Sequence, residues 1–192
     1  GNIHLDLVER IEKKRERNLV CYFSLFAHPA GAIHDHDTEV LENILKSIDL
    51  GRFDGRLDLL INSPGGDPNA AEQIISTCRS FSSSFEVLVA RRAMSAATLV
   101  AMGSDKIVMS NTSELGPIDP QMIQEQQGGR QILRPAAAYI AAYLDLINAA
   151  QGAIAAGAPA DPFLALLQSS VDPSWIQVCQ SARRLSRTIA LD

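Results

Sequence analysis

The stretch RLDLLINSPGGDPNAAEQIISTC, residues 56–78, decides the fold. It begins with a short apolar run, turns on two adjacent glycines, and continues into a segment whose apolar residues recur at helical spacing. Asp67 followed by Pro68 is a usual helix start, because aspartate caps free amides and proline fits the first helical turn. The order of strand, glycine turn and helix predicts a parallel α/β sheet with right-handed crossovers.

The same alternation extends on both sides of this stretch. The sequence predicts strands at residues 19–27, 56–61, 85–90 and 107–109, with a helix after each of the first three. We therefore expect an α/β core over residues 19–121. An amphipathic helix over residues 1–18 precedes it, and its basic stretch, residues 13–17, is expected either to be solvated or to dock a partner.

The remaining residues, 122–192, are assigned to a polar loop and C-terminal helices of the same domain. Residues 121–130 are polar and rich in glutamine, which predicts an exposed loop. The alanine-rich residues 136–156 predict a long helix, and two later Asp-Pro pairs mark the starts of two more.

Composition excludes several functional classes. The 192 residues are 46% hydrophobic and 20% charged, with a net charge of −5, which is typical of a globular protein and not of a nucleic-acid binder. The three cysteines lack metal-ligand spacing, so we expect no metal, no cofactor, no disulfide and a reducing, cytoplasmic location. No apolar run approaches the length of a membrane span.

The first candidate site is the turn from Asn62 to Gly66, which lies at a strand end directly before a helix. Ligands of open α/β sheets bind beyond the carboxyl ends of the strands. Two glycines there let backbone N–H groups face outward toward a phosphate or a developing oxyanion. The alternative is a tight turn without function, and the nucleotide-binding patterns GxGxxG and GxxxxGK[ST] are not matched.

The second candidate site is Ser95, between the third predicted strand and an apolar helix. Its hydroxyl is expected at the start of that helix, beside the free amide of Ala96. The alternative is a serine that only caps the helix. Because adjacent strands bring the two sites together, the Gly66 and Ala96 amides would flank the Ser95 hydroxyl as a two-donor oxyanion hole.

Four segments carry a family resemblance: INSPGG (61–66), AMSAATL (93–99), SDKIVM (104–109) and LGPIDPQ (115–121). Together they resemble the Clp-protease/crotonase superfamily and, within it, the serine dehydrogenase proteinase family, related to the Clp proteolytic subunit and signal peptide peptidase A. The resemblance implies repeated β-β-α/β-α units with a parallel sheet, followed by C-terminal helices.

The resemblance also implies an activity and an assembly. By this resemblance we expect a homo-oligomeric serine peptidase that acts on a peptide or protein substrate, with Ser95 as the nucleophile and Gly66 and Ala96 as oxyanion donors. Ala97 departs from the glycine that is common after the nucleophile in these relatives, which narrows the expected pocket.

The general base is less clear from the sequence. Clp-type relatives carry a histidine about 25 positions after the serine, and here Asp119 occupies that neighbourhood, so Asp119 is a candidate catalytic residue. Signal-peptide-peptidase relatives use a lysine, but no lysine follows Lys106. Either the base lies beyond residue 192, which makes this form a weak peptidase, or His34 or His36 supplies it.

Two rival functions remain at this point. A non-catalytic assembly or binding module would keep the fold and the serine without a working base. Acyl-CoA chemistry on the same fold ranks third, because it needs carboxylates at the oxyanion hole and only Glu114 and Asp119 are near in sequence.

Overall fold

The computed structural model describes residues 3–26, 28–119, 121–125, 131–170 and 173–191. The chain divides into two compact units. The first comprises Gly1–Ile118 and Thr188–Asp192, and the second comprises Asp119–Arg187.

The first unit is an α/β layer structure built on a parallel sheet. Its strands are β1 (Asn18–Phe23), β2 (Arg56–Ser63), β3 (Ser84–Ala93), β4 (Lys106–Met109) and the short β5 (Glu114–Leu115). The order is β1-β2-β3-β4, and β5 pairs in parallel with the end of β3. The helices are α1 (Ile3–Arg15), α2 (Asp35–Ser47), α3 (Pro68–Phe81) and α4 (Ala96–Met102). The predicted α/β class with a parallel sheet is confirmed.

The core of this unit lies between the sheet and its helices. Alternate residues of the two central strands are buried, among them Leu57, Leu59 and Val87. Asp67 caps α3 by accepting a hydrogen bond from the Asn69 N–H, as the Asp-Pro start predicts. The buried face of α3 is the predicted one: Ala70, Ala71, Ile74, Ile75 and Cys78.

The basic stretch at the end of α1, residues 13–17, is solvated at Lys13 and Lys14, as expected, but not at Arg15 and Arg17, where the expectation is wrong. Asp58 of β2 is only 1% exposed and forms ion pairs with both arginines, the one to Arg17 Nε at 2.5 Å. Arg15 also pairs with Glu86 of β3 at 2.7 Å. Asp58 and Glu86 are register partners, so without these cations two carboxylates would oppose each other in a buried position.

The second unit begins with an antiparallel hairpin of β6 (Gln121–Glu125) and β7 (Gln131–Pro135). The predicted exposed loop is therefore wrong at residues 121–125, while residues 126–130 lie outside the described residues. Five residues pair with five in unbroken register, and the Gly128-Gly129 turn signal falls between the strands. The polar composition of this segment hid its strand character.

Three helices follow the hairpin: α5 (Ala136–Ala155), α6 (Asp161–Ser170) and α7 (Pro173–Leu191). They begin where the alanine-rich segment and the two Asp-Pro pairs predict. A small core joins α5 to α7, with Ala136, Ile140 and Cys179 buried and Tyr139 and Trp175 packed against them. In the described part of the chain, each helix is too short or too polar to cross a lipid bilayer.

Candidate active site

Ser95 lies on the turn between β3 and α4 in an unusual backbone conformation. Its φ is 50° and its ψ is −121°. Such a conformation costs a residue other than glycine about 1–3 kcal/mol, and it persists only when its surroundings impose it. Strained strand-to-helix turns of this kind expose the nucleophilic serine of hydrolases.

The Ser95 side chain does not cap α4, so the alternative that it is only a capping residue does not hold. The hydroxyl makes no capping hydrogen bond to α4. The backbone of the turn closes on itself instead, with Ala97 N–H donating to Met94 O at 2.9 Å and Thr98 N–H donating to Ser95 O at 2.8 Å. Among the described residues the Ala96 N–H has no backbone acceptor, so it is available to an outside ligand.

Side chains shape the glycine turn that follows β2. The β2–β3 register shifts between Ile61 and Ser63, and the Asn62 Oδ1 accepts the Arg92 N–H there at 3.1 Å. The buried Ser63 hydroxyl accepts the Gly65 N–H at 3.1 Å. These bonds fix the turn from both ends.

An isolated bridge to Ile33 completes the glycine turn. Ile33 N–H donates to Gly65 O at 2.8 Å, and Asp67 N–H donates to Ile33 O at 2.9 Å. The Gly66 N–H, which lies between them, donates to no acceptor in the part of the chain that the structure describes. The two amides that the sequence proposes as oxyanion donors are thus both unpaired within that part.

The two turns are in direct contact through Gly65. A Cβ built on Gly65, whose φ is 90°, would overlap Met94 O and lie 2.7 Å from Ser95 Cβ and 2.8 Å from Ala96 N. A Cβ on Gly66 would overlap the backbone of Ile33. The structure therefore brings the glycine turn, residues 62–66, together with the turn around Ser95, as the order of the strands predicts. We call the latter the nucleophile turn, after the predicted role of Ser95.

We expect Gly65→Ala to damage this contact far beyond the cost of the backbone angle. Gly157 is the matched control, because its φ is 93° and a Cβ there has nothing within 4 Å. Gly157→Ala carries only the cost of the left-handed conformation, about 1–2 kcal/mol. Gly65→Ala carries that cost and must also displace the nucleophile turn, which we expect to lower the hydrolysis rate about 10²-fold. Equal losses of stability and an unchanged rate in both variants would contradict the close packing.

The other candidate residues from the sequence are Asp119, Ala97 and Lys106. The Asp119 carboxylate, in the second unit, accepts the Ala137 N–H at 3.1 Å and lies 3.4 Å from Arg183 Nε. Ala97 is fully buried in α4, so its methyl group belongs to the packed core. Lys106 is exposed at the start of β4.

The two candidate histidines differ in their surroundings. His34 follows Ile33 directly and is therefore next in sequence to the residue that bridges Gly66. Its N–H donates to Asp37 Oδ2 at 2.8 Å, and the same oxygen accepts the Tyr22 hydroxyl at 3.0 Å. His36 lies within α2, 3.5 Å from Glu39, with 81% of its side chain exposed.

The Tyr22 hydroxyl donates a hydrogen bond to the Asp37 carboxylate. Burial is the main cause that raises the pKa of Tyr22 to about 12, and the charge of Asp37 adds to it. The hydroxyl therefore remains protonated at neutral pH and keeps Asp37, and through it the His34 backbone, in place. No cluster of three or more metal-ligating side chains occurs in the described ranges.

The first unit is thus a parallel α/β structure that carries a strained serine turn beside two glycines, the arrangement expected from the sequence. Residues 5–137 match the family of ClpP-like SDH-type serine proteinases. The match spans more than half of the chain, and the chain therefore belongs to this family. The resemblance drawn from the four sequence segments is confirmed.

Similar proteins include one of undefined activity and two of known structure. An uncharacterized protein of Methanocaldococcus jannaschii is 41% identical over 83 residues, which are 43% of this chain and 29% of that protein. The chain thus covers less than a third of that curated relative. A mutant of the 1510-N membrane-bound stomatin-specific protease is 18% identical, with a TM-score of 0.46 and 77% of this chain and 68% of that chain covered. A mutant of ClpP1 from Listeria monocytogenes is 18% identical, with a TM-score of 0.37 and 51% of each chain covered.

Proposed function

We propose that this protein is a serine peptidase that cleaves peptide bonds by acyl transfer through Ser95. One observation carries the proposal: a serine in a strained conformation, without a capping role, lies so close to a diglycine turn that a Cβ on Gly65 would be 2.7 Å from the serine Cβ. Membership of a ClpP-like serine proteinase family supports the same chemistry. The substrate class is a peptide or protein.

In the proposed reaction the Ser95 Oγ attacks the carbonyl carbon of the scissile peptide while a base takes its proton. The negative charge that develops on the carbonyl oxygen is stabilised by the Gly66 and Ala96 N–H groups. The tetrahedral intermediate collapses, the amine leaves with the proton, and an acyl group remains on Ser95. Water, deprotonated by the base, then attacks this ester, the acyl group is released as a carboxylic acid, and the proton returns to the Ser95 oxygen.

For the base we propose His34, one of the two histidines that the sequence offers. The bridge between Ile33 and Gly66 supports His34, because it ties the backbone beside this histidine to the proposed oxyanion donor. Asp119 stays a separate candidate from the sequence, and its contacts with Arg183 and the Ala137 N–H, both within the second unit, support an orienting role over proton transfer.

We expect His34→Gln to lower the Ser95-dependent hydrolysis of a peptide ester, because glutamine cannot accept the serine proton. General acid–base catalysis is typically worth about 10²–10⁴-fold in rate. His36→Gln is the matched control and should leave the rate unchanged. Equal rates in both variants and the parent would show that the base lies outside this pair.

We also propose that the protein is a homo-oligomer. The described part of the second unit exposes large apolar side chains that a monomer would leave in water, among them Leu144 and Ile154 of α5 and Leu164 of α6. A closed symmetric assembly is the usual way to cover such surfaces. The cytoplasmic location stays a prediction that rests on the free cysteines.

Casein cleavage in the presence and absence of a fluorophosphonate tests the proposed class of enzyme. We expect slow release of peptides that the fluorophosphonate stops, since this reagent reacts with activated serines. Cleavage that survives the reagent would contradict a serine mechanism. No cleavage at all, in a folded chain, would instead favour the non-catalytic assembly or binding module.

A further inference from the structure

Thr98 is a buried polar residue in α4 whose hydroxyl the proposed reaction does not yet use. It is 3% exposed and lies three residues after Ser95. Its Oγ1 is 2.7 Å from Ala93 O, 3.1 Å from Gly116 O and 3.2 Å from Gly116 N. The hydroxyl donates to Ala93 O, the nearer carbonyl, and accepts the Gly116 N–H.

These contacts are not those of an ordinary helical threonine. A threonine inside a helix commonly bonds the carbonyl three or four residues earlier in the same helix. Thr98 instead reaches back five residues, across the nucleophile turn to the last residue of β3, and forward to a separate segment. One side chain therefore joins the strand before Ser95, the helix after it and the segment around Gly116.

The segment around Gly116 packs on the residue before the nucleophile. Gly116 N–H also donates to Ala93 O at 2.9 Å. A Cβ on Gly116 would overlap Met94 Sδ and lie 3.0 Å from Met94 Cα. Since no side chain separates them, a shift of this segment is passed directly to Met94 and from there to Ser95.

We propose that Thr98 is a positioning residue that holds Ser95 in its reactive conformation by joining Ala93 to Gly116. The strained φ of Ser95 requires surroundings that impose it. Gly65 packs against the nucleophile turn, and the Ala93–Thr98–Gly116 contacts join the strand before it to the helix after it. The hydroxyl acts through these backbone groups and does not touch the substrate. This inference rests on the proposed function of Ser95.

The test replaces the hydroxyl while keeping the shape. Thr98→Val removes both hydrogen bonds, Thr98→Ser keeps them, and Thr38→Val is the matched control. Thr38 is a helical threonine of α2 whose buried hydroxyl has no hydrogen-bond partner in the described part of the chain. Steady-state hydrolysis of a peptide ester gives kcat and KM, and hydrogen exchange reports on residues 113–118.

We expect Thr98→Val to lower kcat about 10²-fold with KM close to the parent, because a misplaced nucleophile slows the chemical step. Thr98→Ser should restore most of the rate, and Thr38→Val should match the parent. Exchange at Gly116 should accelerate in Thr98→Val only. If the valine variant does not fold, the pair Thr98→Ala and Thr98→Ser gives the same comparison.

The outcomes separate this inference from the proposed function. Hydrolysis that needs Ser95 but is unaffected by Thr98→Val overturns the positioning role and leaves the nucleophile standing. If hydrolysis does not need Ser95, the proposed function fails and the positioning role fails with it, whatever the exchange rate at Gly116. Loss of rate that Thr98→Ser does not restore also overturns the inference, since the hydroxyl would then not be the cause.

Discussion

Asp58→Ala is expected to lower the free energy of unfolding by about 3–5 kcal/mol, the usual cost of removing one partner of a buried ion pair. Asp58 is the anion at the centre of the cluster that holds Arg15 and Arg17. Arg17 is 6% exposed and also donates to the carbonyl groups of Leu57 and Ser84, each at 2.9 Å. Without Asp58 the positive charge of Arg17 stays buried. Among the described residues only Glu86, at 3.4 Å, would then neutralise it.

Guanidinium unfolding followed by circular dichroism measures this effect. The control is Glu9→Ala, which removes the exposed pair between Glu9 and Lys13 at 3.3 Å. Exposed pairs of this kind contribute about 0.2–1 kcal/mol. A loss in Asp58→Ala no larger than in the control would show that the cluster is not buried as described.

Asp58→Ala also separates an effect on stability from an effect on the rate of hydrolysis. Asp58 and Glu86 lie near the starts of β2 and β3, whereas Ser95 follows the end of β3. We therefore expect the fraction of Asp58→Ala that remains folded to react at the parent rate.

Ser95→Ala is expected to have the largest effect on activity and almost none on stability. Removal of the nucleophile from a complete serine protease lowers kcat about 10⁶-fold, which is the upper limit here. The Ser95 hydroxyl makes no capping bond, so its loss removes no hydrogen bond from α4. We expect the free energy of unfolding to stay within about 0.5 kcal/mol of the parent.

The measurement is initial-rate hydrolysis of a peptide ester alongside thermal unfolding. Ser80→Ala is the control, because this exposed hydroxyl of α3 bonds only locally, to Thr77 O at 2.9 Å. A Ser95→Ala chain that hydrolyses the ester as fast as the Ser80→Ala chain would contradict the role of Ser95.

Most of the α/β core could be predicted from the sequence because its signals are local. Apolar runs of strand length, helical periodicity and the Asp67-Pro68 start each act over a few residues. The contact between the glycine turn and the nucleophile turn followed from the same reasoning, since consecutive parallel strands are neighbours in this sheet. The candidate nucleophile and the glycine turn were therefore visible before the structure.

The features that the sequence did not predict depend on residues far apart in the chain. Arg15 and Arg17 look like a solvated basic tail until the sheet brings Asp58 and Glu86 to them. The Arg17–Asp58 bond spans 41 positions and the Arg15–Glu86 bond spans 71. One signal was available: a lone aspartate within an apolar strand needs a buried partner.

The positive φ of Ser95 has no local signal, because serine does not favour it. Its neighbours come from two other segments: Gly65 lies against Ser95, and Gly116 lies against Met94, the residue before it. The role of Thr98 was hidden for the same reason. A threonine in an apolar helix looks ordinary until its hydroxyl is seen to join Ala93 to Gly116.

The most direct test of the central claim is to locate the serine that a fluorophosphonate modifies. The chain is treated with the reagent, digested, and its peptides are sequenced by mass spectrometry. We expect one adduct, on the peptide that contains Ser95, and none after Ser95→Ala. An adduct on a different serine, or one that persists in Ser95→Ala, would contradict the assignment of Ser95 as the nucleophile.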